Sequence, residues 1–155
     1  MRSKIWKRFS RDSRGTIAVL FGFSASVLFV MIGVAVDAAR VYSLNDKVRS
    51  TLDSAALAGA KLLDDQLSTD AEVEARSKAF LDSHASRFTN SSTTLSNFRA
   101  RINRLEGTVV ASVEVDYKTA FGGLVNMPSI AFTPEATVTY KTKKIELALV
   151  LDVTG

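Results

Sequence analysis

The sequence predicts a membrane-anchored α+β fold. A long N-terminal helix, whose first part spans the membrane and whose second part forms a stalk, is followed by a second helix and a small antiparallel β-sheet. Three observations predict this fold. Residues 16–36 form an apolar stretch without a charged side chain. The helical spacing of small and apolar residues then continues to about residue 64 without an interrupting proline. After Asn97 the apolar residues recur at every second position, which is the period of a strand with one buried face.

The apolar stretch 16–36 is predicted to be a transmembrane helix. About 20 residues at about 1.5 Å each cross the roughly 30 Å hydrocarbon core of a bilayer. A single span must be helical, because in hydrocarbon every backbone polar group needs a partner within its own segment. One alternative is a buried core helix of a soluble protein. Another is a secretory signal cleaved in the small-residue run 35–39, which is disfavoured because the stretch exceeds the usual length of a signal core.

Basic residues before the span predict its orientation. The tail 1–15 carries a basic cluster that only Asp12 opposes. Such a cluster stays on the cytoplasmic side of the membrane and is attracted by anionic lipid. The net charge of +4 therefore indicates topology rather than nucleic-acid binding, with the chain beyond the span outside the cytoplasm. The membrane-orienting residues are Lys4, Lys7, Arg8, Arg11 and Arg14.

The helix is predicted to continue as a stalk over residues 37–65. Its small and apolar residues are spaced alternately by four and three, as on a helix face that packs against another element. Asn45 is the one polar member, and a single buried Asn can fix the register of paired helices. Over residues 48–62 we interpret this face as packing on the chain's own outer domain, whereas over residues 38–45 a partner is an equal alternative. The stripe consists of Val34, Ala38, Val41, Asn45, Val48, Leu52, Ala55, Gly59 and Leu62.

Small residues inside the span predict a helix-packing face. Ala18, Gly22 and Ser26 are four residues apart, and this spacing lets two helix backbones approach closely. Small residues are common in membrane helices, so chance also produces the pattern. The expected partners of the helix are the lipid bilayer and other subunits.

The outer domain, residues 66–144, is predicted to begin with a second helix. Thr69 and Glu72 have the spacing of a capping box, and an apolar face continues to about Phe88. His84 is the only histidine, and we interpret it as a packing residue rather than a ligand or catalyst. The polar residues 90–94 predict a loop.

Alternating residues then predict the sheet. The segments 98–102 and 109–117 form a β-hairpin around Gly107. One helical turn is expected within 119–126, and a third strand over about 130–142, where Pro134 indicates an edge or a bulge. This small domain needs packing against the long helix. The basic residues interpreted as a solvated face, rather than a polyanion site, are Arg99, Arg101, Arg104, Lys141, Lys143 and Lys144.

Several elements agree in order with a known family. They are Arg14-Gly15, the apolar span, Ala-Val-Asp-Ala-Ala-Arg at 35–40 and Asp-Ser-Ala-Ala-Leu-Ala-Gly-Ala at 53–60. This part resembles the N-terminal module of the TadE/TadG-like proteins of the Tad (Flp) pilus-assembly machinery, most closely the TadG branch. The resemblance implies a pilin-like plan. Pilin-like members carry a Gly followed five residues later by Glu as a prepilin-peptidase site. Leu20 stands at that distance from Gly15, which implies an unprocessed protein.

The end of the chain resembles the start of another domain. Residues 145–151 are a nearly continuous apolar run, typical of a strand covered on both faces. With Asp152 and Thr154 they look like the first strand of a von Willebrand factor A domain and its adhesion-site pattern Asp-x-Ser/Thr-x-Ser. The resemblance implies that Asp152 and Thr154 belong to a metal site that is incomplete here, in a chain truncated as the domain begins. A divalent metal is expected only with a complete A domain, and no cofactor is expected in this chain.

These features predict an anchoring protein rather than an enzyme. The chain contains no cysteine, and paired carboxylates or a phosphate-binding loop are not recognisable. No catalytic residue, cofactor-binding residue, small-molecule substrate or nucleic-acid partner is therefore expected. Together with the resemblance, the sequence predicts a non-enzymatic component of Tad/Flp pilus assembly or secretion in the bacterial inner membrane, with a cytoplasmic N-terminus and a periplasmic outer part. The alternative is an unrelated single-pass adhesion or sensor anchor.

Overall fold

The computed structural model describes residues 13–64 and 67–140, and it confirms the predicted α+β fold. The chain forms helices α1 (Ser13–Ala60) and α2 (Asp70–Ala85), which precede the sheet. Short 3-10 turns occupy Lys61–Asp64 and Gly122–Val125. The strands are β1 (Thr93–Asn103), β2 (Thr108–Lys118), β3 (Ser129–Phe132) and β4 (Glu135–Thr139). The predicted strand 145–151 lies outside the described residues.

Helix α1 has two halves with different surroundings. It is one helix of 48 residues, about 70 Å long, which confirms the predicted continuity from the span into the outer part. None of the side chains of residues 15–32 is buried. The second half packs on α2 and on the inner face of the sheet. Its fully buried residues include Val48, Leu52, Ala55, Ala56 and Ala60.

The buried face of α1 confirms the interpretation that residues 48–62 pack on the chain's own domain, with Leu62 half-buried. Nearer the span Ala38 is exposed, whereas Asp37 is 2% exposed. The chain's own domain therefore does not cover the stripe at Ala38, and packing of residues 38–45 on a partner stays a prediction. A stripe with a strict seven-residue repeat drifts by about 20° per heptad around a straight α-helix. Asp37, eleven residues before the buried Val48, lies within about 20° of it around the helix, whereas Ala38 lies about 80° away, so Asp37 shares the buried face.

Helices α1 and α2 approach closely at Gly59. A Cβ atom placed there would meet the Ser77 hydroxyl and would lie 2.8 Å from the Val73 carbonyl oxygen. Ser77 is itself buried, and its hydroxyl donates a hydrogen bond to that carbonyl over 3.0 Å. The small residues of the stripe therefore permit a close contact, and here the partner is α2 of the same chain.

The capping box predicted for α2 is confirmed. The Glu72 amide donates to the Thr69 hydroxyl over 3.3 Å, and the Thr69 amide donates to the Glu72 carboxylate over 2.6 Å. The helix ends at Ala85, earlier than the predicted end near Phe88. The amides of Arg87 and Phe88 donate to carbonyls three residues back, so the chain tightens into a last turn there. Phe88 remains buried from this turn.

His84 lies at the end of α2 in a packed position. Its ring stacks on Phe80 with centroids 4.4 Å apart, and Nδ1 lies 2.9 Å from the Phe80 carbonyl oxygen. Both contacts are local to one helix turn and involve no second titratable group. They support the interpretation of His84 as a packing residue.

Strand β2 is the centre of the sheet. It pairs with β1 on one edge, and on the other edge with β4 along its first half and β3 along its second half, all antiparallel. The predicted third strand therefore exists as two pieces. Pro134 separates them and its carbonyl accepts from the Val113 amide, as expected for proline at a strand interruption.

The start of β1 corrects the predicted loop 90–94, because Thr93 and Thr94 already pair with β2. A bulge places Asn97 and Phe98 opposite Val113, with Asn97 at φ 51. The extra residue reverses the inward alternation, so Thr93 and Phe98 both face the core side. The first residues of the strand are thus out of phase with the pattern that predicted the hairpin.

Candidate membrane anchor and its contact with the outer domain

The first half of α1 exposes apolar side chains around its whole circumference. Within the described residues it is the one helix that is long and apolar enough to cross a membrane. The rest of the described chain covers almost none of this segment, so it is not a core helix of this fold. The large exposed side chains include Ile17, Leu20, Phe21, Phe23, Leu28, Phe29, Met31 and Ile32.

The predicted small-residue face lies open on this segment. Ala18, Gly22 and Ser26 are exposed, and a Cβ atom at Gly22 would meet no heavy atom within 4 Å. The Ser26 hydroxyl donates to the Gly22 carbonyl oxygen over 2.8 Å, so its polar group is paired within the helix. The face is therefore available for helix packing, which stays a prediction.

Asp37 joins α1 to the loop between β2 and β3. This loop, residues 119–128, is called the β2–β3 loop below. One carboxylate oxygen of Asp37 accepts from the Ala120 amide over 2.9 Å, and the other accepts from the amides of Phe121 and Gly122 over 2.7 and 2.8 Å. The carboxylate thus satisfies three successive backbone donors at the start of the 3-10 turn Gly122–Val125.

The Asp37 carboxylate is buried, yet it stays ionised. Burial alone would raise its pKa, but the three backbone N–H donors and the positive charge of Arg40 outweigh this effect and hold the pKa of Asp37 below its ordinary value. A buried carboxylate that accepts several charge-assisted hydrogen bonds is a strong structural contact. It fixes both the rotation of α1 and the conformation of the loop.

Two glycines allow the β2–β3 loop to lie against α1. Gly33 is buried, and a Cβ atom there would lie 2.7 Å from the Cβ of Phe121. Gly122 is also buried, and a Cβ atom there would lie 2.5 Å from the Met127 carbonyl oxygen. The Phe121 side chain therefore packs on the helix at Gly33, one turn before Asp37, and the loop closes on itself around Gly122.

Sequence reasoning missed the contact at Asp37. In the sequence, Asp37 is the first residue beyond the predicted span and belongs to the run 35–40. Its amide partners are more than 80 positions away along the chain, so the residues near Asp37 in the sequence do not predict them. The available signal was the 3.6-residue period, which places an acidic side chain on the same face as Val48 and Leu44.

Other predicted residues have different outcomes. Asn45 is half-buried beside the core residue Leu44, and its role in fixing register stays a prediction. Arg101 pairs with Glu135 at 3.3 Å and Arg104 pairs with Asp70 at 2.6 Å, which supports the interpretation of a solvated face. The tail residues Lys4, Lys7, Arg8 and Arg11, the Arg14 side chain, and Asp152 and Thr154 lie outside what the structure describes.

The outer domain has a groove beside the membrane-side end of the core. It encloses about 360 Å³, and its charged lining residues are Arg40, Lys47 and Arg87. Polar groups of Ser43, Asn90 and Thr93 complete much of the lining. Neither a nucleophile with a neighbouring base nor a set of metal ligands meets there. No cluster of three or more His, Cys, Asp or Glu residues occurs in the described parts of the chain.

One protein-family model matches part of the chain. The model of the TadE/G-like Flp pilus-assembly domain matches residues 15–62. This range coincides with α1 and the turn that follows it, so it includes the exposed apolar segment, Asp37 and Gly59. The α2 helix and the sheet lie beyond it. Comparison with curated proteins and with solved structures gave no match.

Proposed function

We propose that this chain is a non-enzymatic, single-pass membrane component of Tad/Flp pilus assembly or secretion. The observation that carries the proposal is the coincidence of the family match with α1. That one helix exposes an apolar surface of membrane-spanning length and also supplies much of the core of an outer domain. The protein thus holds a folded domain close to the bilayer, where it is available to other subunits of the assembly.

The proposed location is the bacterial inner membrane, with the N-terminus in the cytoplasm. The basic cluster before the span supports this orientation, since such clusters remain cytoplasmic. The contact at Asp37 supports a retained anchor, because cleavage within residues 35–39 would cut the helix at the residue that binds the β2–β3 loop. Leu20 in place of a Glu five residues after Gly15 supports an N-terminus that prepilin peptidase does not process.

Reporter fusions test the orientation. Alkaline phosphatase, which is active only outside the cytoplasm, is expected to be active when fused after Gly155 and inactive when fused after Arg14. Equal amounts of the two fusions on an immunoblot provide the control. The reverse pattern of activities would contradict the proposed orientation.

Deletion of the gene in a host that assembles Flp pili tests the role in assembly. We expect loss of surface pili, with pilin still synthesised, and recovery when the chain is supplied from a plasmid. Pili that persist after deletion would favour the alternative of an unrelated adhesion or sensor anchor. A variant in which the span 16–36 is replaced by an unrelated transmembrane helix separates anchoring from specific packing of α1.

We also propose that residues 145–155 begin a von Willebrand factor A domain, as in the TadG branch. The apolar run and the Asp-x-Thr pattern support this assignment. Asp152 and Thr154 offer two oxygen donors, whereas a hard divalent cation takes about six ligands. Magnesium or manganese binding is therefore expected by calorimetry only after extension through a complete A domain, and Asp152→Ala should then abolish it.

A further inference from the structure

The β2–β3 loop forms an exposed, apolar surface of the outer domain. Residues 119–134 contain no charged side chain, in contrast to Lys118 before them and Glu135 after them. Large apolar side chains of this loop point away from the core: Leu124 is 70% exposed and Met127 is 53% exposed. Phe121 and Val125 are also exposed at their outer sides. A cluster of this kind on a soluble surface marks an interaction site.

The loop lies at the level where the anchor leaves the hydrocarbon. Phe121 contacts α1 at Gly33, which lies three residues inside the end of the predicted span 16–36. At about 1.5 Å per residue, this contact is about 5 Å inside the outer hydrocarbon boundary. The exposed face of the loop therefore lies next to the exposed apolar surface of α1 at Phe29, which is one turn before Gly33 on the same side of the helix.

The loop is held firmly in this position. Asp37 accepts from three of its amides, and the Thr119 hydroxyl donates to the Met127 carbonyl oxygen over 2.7 Å. The Met127 amide also donates to the Gly122 carbonyl oxygen over 2.9 Å. These backbone donors are thus paired within the protein, which is the condition for irregular backbone to enter an apolar medium.

We propose that the β2–β3 loop inserts into the outer leaflet and forms a second membrane contact beside α1. The inference rests on the proposed membrane anchor. Phe121, Leu124, Val125 and Met127 lie at the boundary between headgroups and acyl chains, and the occupant of this surface is lipid rather than a protein partner. The position of the loop favours lipid over a protein partner. The outer boundary of the hydrocarbon, which lies at the end of the predicted span, is at the same level as the loop. The domain is thereby held at a fixed tilt on the bilayer.

Depth-dependent quenching tests the insertion in the full-length chain. Trp6 is the single tryptophan, so Trp6→Phe provides a background for Leu124→Trp and, separately, Met127→Trp. Each protein is reconstituted into phosphatidylcholine–phosphatidylglycerol vesicles whose acyl chains carry bromine. Phe23→Trp, in the middle of the span, reports the anchor. Leu105→Trp is the matched control, since Leu105 is 98% exposed in the β1–β2 turn at the opposite end of the domain.

We expect brominated lipid to remove most of the tryptophan emission at positions 23, 124 and 127, with blue-shifted spectra, and to leave the emission at 105 unchanged. Quenching at 23 without quenching at 124 and 127 would overturn the inference and leave the anchor intact. This result would assign the loop to a protein partner or to water. Absence of quenching at all four positions would refute the anchor and, with it, the insertion of the loop. Far-UV circular dichroism equal to wild type confirms that each variant is folded.

Discussion

At the scale of single residues, Asp37 connects two parts of the chain that are far apart in sequence. Its carboxylate accepts three amide hydrogen bonds at the point where the membrane segment of α1 meets the outer domain. A carboxamide has one acceptor oxygen and turns an NH₂ donor toward the remaining amides. Asp37→Asn therefore leaves buried donors unpaired, and we expect a lower midpoint of thermal unfolding in detergent. Asp53→Asn, on an exposed face of the same helix, should leave the midpoint unchanged; equal midpoints for the two variants would contradict this role.

The same carboxylate predicts a dependence on pH. Its pKa is lowered in the folded protein, because the amide donors and Arg40 outweigh burial. A group of this kind contributes stability above its unfolded pKa, about 3.9 for Asp, and this stability is lost as the pH falls through the folded pKa. The difference in unfolding midpoint between wild type and Asp37→Asn should thus be largest near neutral pH and shrink below about pH 4. A difference that does not change with pH would show that shape, rather than charge, stabilises the contact.

Gly59 sets the distance between α1 and α2. A Cβ atom there would overlap the Ser77 hydroxyl and crowd the Val73 carbonyl, both of which belong to a packed helix. Gly59→Ala should lower the free energy of unfolding by about 1–3 kcal/mol, as overpacking of a core does, despite its gain in helix propensity. Gly22→Ala provides the control, because its Cβ meets open space. Denaturant unfolding of the two variants in the same detergent measures the difference, and a Gly59→Ala protein as stable as wild type would rule out this steric role.

At the scale of elements, local chemistry was predictable and distant pairing was not. The capping box of α2, the inward alternation of β2 and the interruption at Pro134 each depend on residues a few positions apart, and all three are observed. The start of β1 was missed, because the bulge at Asn97 reverses the alternation. The contact of Asp37 was missed, because its partners are backbone amides. Almost every residue type offers such an amide, so the side chains of the partner residues do not reveal the contact. The sequence therefore contains one signal of this site, the helical period that places Asp37 on the face of Leu44 and Val48, and none of its partners.

The membrane half of α1 carries a prediction about association. If Ala18, Gly22 and Ser26 form a helix contact, Gly22→Leu should weaken it by about 1 kcal/mol, because added bulk separates the backbones. Val27→Leu alters bulk on another side of the same exposed segment and should have little effect. A bacterial two-hybrid reporter for membrane helices measures both. An unchanged signal for Gly22→Leu would assign the small-residue spacing to chance.

At the scale of the whole molecule, α1 combines a candidate membrane span with part of the core of the outer domain. The domain lies alongside residues 33–60 of the helix, and one face of the sheet is closed by helices. The candidate span and the part of α1 that packs in the domain belong to one continuous helix, Ser13–Ala60, without a loop between them. The family match, residues 15–62, includes the core residues of α1 but not those of α2.

The outer half of α1 should consequently be indispensable for folding of the domain. Leu44, Val48 and Leu52 are buried side chains from this helix, each contributing about 1.5–3 kcal/mol on burial, against a total stability of about 5–15 kcal/mol for a domain. A fragment of residues 33–140 should unfold cooperatively. A fragment of residues 46–140 lacks Asp37 and Leu44 and should melt at a lower temperature. A fragment of residues 61–140 should not fold. Circular dichroism melting and amide dispersion in NMR spectra distinguish the three. A cooperative transition in fragment 61–140 would show that α2 and the sheet form a core of their own, and that α1 only covers it.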